Sequence, residues 1–136
     1  MPAVVLASLA LSVKFVYSQP PVIWAMMEQE SGRRIDTPPG DGGRSHGILQ
    51  IGQLYIDDIN EYHGTSFTLD DAYSVVDAIR MVWLYDERWG DGTAETMARN
   101  HNGGPDGHRQ ECTAGYWNDI ERILQDWRLS NDPNIE

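Results

Sequence analysis

The chain has 136 residues, 40% hydrophobic and 23% charged, the balance of one soluble domain built around a single core. Its 10 Lys+Arg stand against 21 Asp+Glu, a formal net charge of -11; such a surface repels phosphate backbones and anionic bilayers, which argues against nucleic acid or a membrane as partner. Cys112 is the single cysteine, so neither an intrachain disulfide nor a cysteine-based metal cluster can form.

The first apolar run, Val4 to Val16, has the length of a signal-sequence core and is interrupted by Ser8, Ser12 and Lys14. Val16 and Ser18 flank Tyr17 as compact residues ahead of a cut, so residues 1–18 read as an export signal and the protein as secreted or periplasmic. A first core helix that stays attached is the alternative. The run is too short and too interrupted for a transmembrane span.

Pro20 and Pro21 then open a helix in which Val22, Ile23, Ala25, Met26 and Met27 form an apolar face, and Gly32 closes it. Glu30 falls in its last turn. A carboxyl held against such a face loses hydration and keeps its proton toward neutrality, as a general acid requires. On this segment alone a solvated surface glutamate is the commoner outcome. Arg33 to Ser45, with Thr37-Pro38-Pro39-Gly40-Asp41-Gly42-Gly43, cannot be helical. Ile48 to Ile51 reads as a short strand, and Gly52 to His63 as a short helix or irregular turn around Tyr55, Ile56 and Ile59. Thr68-Leu69-Asp70-Asp71 has the form of a capping box, and Ala72, Val75, Val76, Ile79, Val82 and Trp83 continue as an amphipathic helix expected to stop at a left-handed Gly90. A shorter helix is expected from Ala94 to about Asn100 with Thr93 as cap. A last one starts near Thr113, carries Trp117, Ile120, Ile123, Leu124 and Trp127 on one side, and ends before Asn131 and Pro133, leaving a frayed tail. The expected fold is mainly α, of α+β character: residues 19–136 make a single domain, a helical body with a small Gly-rich loop or β-hairpin lobe as one wall of a cleft.

Three segments then fall into one pattern. Glu30-Ser31-Gly32, Ser45-His46-Gly47-Ile48-Leu49-Gln50-Ile51, and His101-Asn102-Gly103-Gly104-Pro105 followed by Tyr116-Trp117 resemble the invertebrate-type lysozymes in order and spacing, over roughly Val22 to Ile123. Singly, the Glu-Ser pair and the Gly-x-x-Gln-Ile run are also similar to lytic transglycosylases and goose-type lysozymes. The resemblance implies a lysozyme-like fold, a monomeric enzyme without cofactor or metal, and peptidoglycan or a chitooligosaccharide as substrate. It places the acid on Glu30 and the second carboxylate on Asp41, with Asp36 as the other choice. Glycoside cleavage needs one group to protonate the leaving oxygen and another to attack or stabilise the oxocarbenium-like centre. Ser45, His46 and Gln50 would line the loop side; His101, Asn102 and Gly103 the opposite wall, where glycine lets a sugar approach the main chain; Tyr55 would lie near the subsites or simply pack in the core. Ser45 is equally a turn serine bonded to its own backbone, and Glu28 points away from Glu30.

The sequence departs from the family in having one cysteine where members carry many. Its one lysine, Lys14, lies in the leader, so the serine–lysine isopeptidase activity of some members has no base here. The acidic balance opposes an anionic wall polymer unless the charge faces away from the cleft or salt screens it. Two other readings stand beside the hydrolase: a lytic transglycosylase giving anhydro ends, and a non-catalytic carbohydrate-binding module of the same fold.

Overall fold

Local sequence sets six α-helices among the residues described by the structure, a computed structural model covering residues 3–131: α1 Ala3–Tyr17, α2 Pro21–Ser31, α3 Gln53–His63, α4 Val75–Trp89, α5 Ala94–Gly103 and α6 Ala114–Ser130. Pro133 and the tail after Asn131 lie outside the described residues.

Helix α2 is the central element. Val22, Ile23, Ala25, Met26 and Met27 are all buried, and α2 packs chiefly against α6 and also touches α5. Pro21 stands at its first turn, and Gly32, at φ 64°, takes the left-handed cap: its amide donates to the Glu28 carbonyl and the following Arg33 amide to the Met27 carbonyl. The core continues through Leu49, Ile51, Ile56, Ile59, Ile79, Met81, Val82 and Ile120, each at most 1% exposed. Removing these apolar side chains from water is the main stabilising term.

Three boundaries differ from the expectations. The Thr68 capping box is present, but it caps a 3-10 turn, Leu69–Tyr73; α4 begins only at Val75, where the Ser74 hydroxyl accepts from the Asp77 amide. Two capping signals six residues apart compete, and Ser74, in an extended conformation, breaks the run. Gly90 is not left-handed (φ -83°): space selects it, since a Cβ there would stand 2.2 Å from Asp86 Oδ1. Ile48 to Ile51 forms no strand but a buried turn closed by the isolated antiparallel bridge His46↔Ile51, beside a second bridge, Gly40↔Ser45. The loop lobe is therefore two linked turns, shorter than a hairpin of regular strands.

Val4 to Val16 falls within α1, which packs against α4. Phe15 and Val16 reach the core, while Leu9, Leu11 and Val13 are 50%, 69% and 55% exposed. The junction after α1 is tied down by Trp83, whose indole N–H donates to Gln19 Oε1 at 2.7 Å. Among the described residues no helix is long and apolar enough to cross a membrane.

Candidate active site

The last turn of α2 carries Glu30 to the base of a cleft of about 710 Å³ between the helical body and the loop lobe. Its side chain is only 18% exposed, and burial raises its pKa to about 7, with the nearby Tyr116 hydroxyl pulling the other way. No hydrogen bond of full geometry joins them, and Tyr116 Oη has no other partner among the described residues. Even so, the phenol and the carboxyl are close enough that each perturbs the other: burial, then the Glu30 charge, raises the Tyr116 pKa well above its usual value. The result is a carboxyl that keeps its proton toward neutrality.

His101 closes this wall from α5. Its Nε2 lies 2.8 Å from the Leu49 carbonyl and Nδ1 3.2 Å from Tyr55 Oη. A carbonyl can only accept, so we assign the proton to Nε2, and Nδ1 accepts from the tyrosine. Burial drives the imidazole pKa down to about 4. The 3.9 Å approach of Nε2 to Glu30 Oε1 is thus a neutral ring beside a carboxyl and no ion pair at neutral pH. Tyr55 stacks on Tyr85 with ring centroids 3.9 Å apart and planes 15° from parallel, giving the cleft an aromatic floor.

The loop wall is built differently. Asp41, at φ 51° and in an αL conformation uncommon for a non-glycine residue, lines the cleft with Glu30. Its carboxylate is 66% exposed and meets Arg44 Nη2 at 3.2 Å. Asp36 is not among the lining residues; it is 76% exposed and paired with Arg34. Glu28 pairs with Arg33, away from Glu30.

The other residues expected at the site separate into several groups. Ser45, Tyr55, His101 and Asn102 line the cleft with Glu30 and Asp41. Gln50 lines it too, but its amide is committed to the fold: Oε1 accepts from the Gly40 amide at 3.0 Å and Nε2 donates to the Gly47 carbonyl at 2.9 Å. It pins the loop that carries Asp41. His46 is not among the cleft residues; it faces an adjoining chamber and its Nδ1 meets Tyr73 Oη at 2.8 Å. Gly103 is likewise absent from the lining, where Gly104 and Pro105 stand instead; it packs on Thr113, whose Cγ2 a Cβ would meet at 2.4 Å.

Sequence reasoning missed Asp58, a third carboxylate in the lining. It is held by Arg88 Nη1 at 2.8 Å and the Trp89 indole at 3.1 Å. Its placement three residues after Tyr55 on α3, hence on the same face, was the signal that could have found it. Tyr116 appeared only as part of a motif; that it approaches Glu30 needs the α2–α6 packing.

A helical body with a small loop lobe and a buried acid at the base of the cleft between them is the lysozyme-like architecture. The lysozyme of Meretrix lusoria, solved bound to the inhibitor PliI of Aeromonas hydrophila, superimposes with a TM-score of 0.68 at 28% identity, over 87% of this chain and 95% of that one. The Tapes japonica lysozyme shares the fold at TM-score 0.64 and 23% identity. Invertebrate-type lysozyme 2 of Caenorhabditis elegans is 32% identical, over 84% of this chain and 92% of that protein. The chain belongs to the invertebrate-type lysozyme family. Invertebrate-type lysozymes 6 and 3 of the same animal match at 59% identity over 34 and 32 residues, so the matched stretch spans about a quarter of each. No family model matches the chain.

Proposed function

We propose that the chain is a lysozyme-type glycoside hydrolase that cuts the β-1,4 bond between N-acetylmuramic acid and N-acetylglucosamine in peptidoglycan. The observation that carries this reading is Glu30: a carboxyl with its pKa raised to about 7 by burial, at the base of an open cleft, on a chain of this family. Protonated Glu30 gives its proton to the leaving oxygen as the glycosidic bond breaks. Asp41 attacks or stabilises the oxocarbenium-like carbon, and Glu30, now ionised, takes a proton from the water that completes the reaction. Asp41 is favoured over Asp36 because it shares the cleft with Glu30.

Exposure of Asp41 and its Arg44 contact keep a second reading in play, a transglycosylase using Glu30 alone as acid then base. Turbidity loss of purified peptidoglycan, with wild type, Glu30→Gln and Asp41→Asn, tests the assignment. Mass spectrometry of the products separates the readings: hydrated reducing ends support the hydrolase, and anhydro ends alone sink it. Full activity in Glu30→Gln would remove the acid role altogether.

The enzyme is exported and works as a monomer in this reading. Support for export comes from α1, whose Leu9, Leu11 and Val13 stay substantially exposed, unlike residues of a core helix. The mass of the mature protein recovered from the medium checks cleavage after Ser18.

A further inference from the structure

Beside the cleft opens a second chamber of about 510 Å³, between Arg44–His46 on the loop and Gln53–Leu54 at the start of α3, continuous with the cleft through the shared Asp41, Ser45, Gly52, Leu54 and Tyr55. The two spaces differ in where a cation stands. The cleft lining holds three carboxylates, Glu30, Asp41 and Asp58, a neutral His101, and no Lys or Arg. Along the whole groove, among the described lining residues, the single guanidinium is Arg44, in the chamber.

Resting on the hydrolase reading, we propose that this chamber receives the acidic stem peptide carried on the muramic acid, while the uncharged sugar backbone lies in the cleft. Peptidoglycan joins that stem, through a lactyl ether, to one sugar of the pair being cut, so a bound strand must carry the stem out of the catalytic space. A carboxylate-bearing peptide finds no cation in the cleft lining, whereas in the chamber Arg44 offsets the one carboxylate there, Asp41, and has N–H donors to spare.

Arg44 is placed to meet it. Nε donates to the Asp41 carbonyl at 3.0 Å and Nη2 reaches Asp41 Oδ1 at 3.2 Å, which fixes the plane of the group and leaves N–H donors over on a side chain 79% exposed. The first turn of α3, eleven residues long, has no side-chain cap, so its amides at Gln53 and Leu54 add donors on the facing wall. Leu54, 86% exposed, and Leu69 supply apolar surface suited to alanyl methyl groups.

The test compares kcat/KM of wild type, Arg44→Gln and Arg44→Lys on three substrates: stem-bearing glycan strands, the same strands stripped of stems by an amidase, and chitohexaose. Because Arg44 also touches Asp41, its loss is expected to slow all three; the stem-bearing strand should lose about a further fivefold, the scale of one solvated ion pair. Lysine should restore part of that extra factor and 0.5 M salt should erase it. Equal losses on all three substrates would mean that Arg44 acts through Asp41 alone and would overturn the inference. An extra loss shared by the stripped strands would also overturn it, because the lactyl carboxylate would then be the group recognised. Should wild type cut none of the three, the hydrolase reading falls. The chamber is then judged by titrating the free stem peptide and following the Gln53 and Leu54 amide resonances, whose failure to move overturns this inference as well.

Discussion

The two walls of the cleft hold carboxylates in opposite surroundings. Glu30 sits on a helix, 18% exposed, facing a neutral imidazole and a buried phenol, and burial lifts its pKa to about 7. Asp41 sits on a glycine-rich turn, 66% exposed, beside a guanidinium. One wall takes charge away from a carboxyl; the other offers it water and a counter-charge. General-acid chemistry at neutral pH needs the first environment and a charge-stabilising partner needs the second, so the contrast between the walls matters more than either residue alone.

The largest expected effect breaks the helical wall. Glu30→Gln should lower turnover by roughly 10²- to 10⁴-fold, measured as product formation per mole of folded enzyme, with an unchanged circular dichroism spectrum. Asp41→Asn should cost on the order of 10²-fold if it stabilises the developing cation, whereas Asp36→Asn, outside the cleft, should leave the rate where it was. An Asp41→Asn enzyme with wild-type rates would turn the comparison into a single-acid mechanism.

Stability against pH reads the same wall without substrate. Glu30, raised from 4.5 to about 7 on folding, favours the folded state below pH 4.5, and that contribution is lost as pH rises through 7. His101, lowered from 6.5 to about 4, does the reverse: its contribution is present above pH 6.5 and lost as pH falls through 4. Between about 4.5 and 6.5 the two slopes oppose each other, so this pair gives a plateau with losses on both sides. In Glu30→Gln only the histidine slope remains. The variant should then be roughly 3 kcal/mol more stable than wild type at pH 8, as urea unfolding across pH would show. A variant less stable than wild type at pH 8 would mean that the Glu30 carboxyl is not desolvated.

A smaller change sharpens the comparison. The Tyr116 hydroxyl lowers the Glu30 pKa, so Tyr116→Phe should raise it and move the alkaline limb of the pH–rate profile upward. No movement of that limb would remove Tyr116 from the acid's surroundings.

Much of the helical wall could be read in advance because its determinants are local. A proline start, five apolar residues on one face and a glycine stop bracket Glu30 within thirteen positions, and all five of those residues are buried. The loop wall depends on contacts that local pattern does not encode. Ile48 to Ile51 has the composition of a strand, yet its Leu49 carbonyl turns to His101, 52 residues away. Gln50 had the chemistry of a sugar ligand, yet both ends of its amide bind the backbone of the loop. At α4, Thr68 and Ser74 are both competent caps and both are used, Thr68 on the 3-10 turn and Ser74, with its extended backbone, on the helix. Asp58 and Tyr116 reach the site only once α3 and α6 are packed.

Direct titration of the Glu30 carboxyl is the sharpest test of the central claim. With glutamate side-chain carboxyl carbons labelled, NMR across pH 3 to 9 should show a resonance, missing in Glu30→Gln, that titrates near pH 7. A Glu30 resonance titrating near pH 4.5 would contradict it, because the helix would then present an ordinary surface carboxylate with no proton to give at neutral pH.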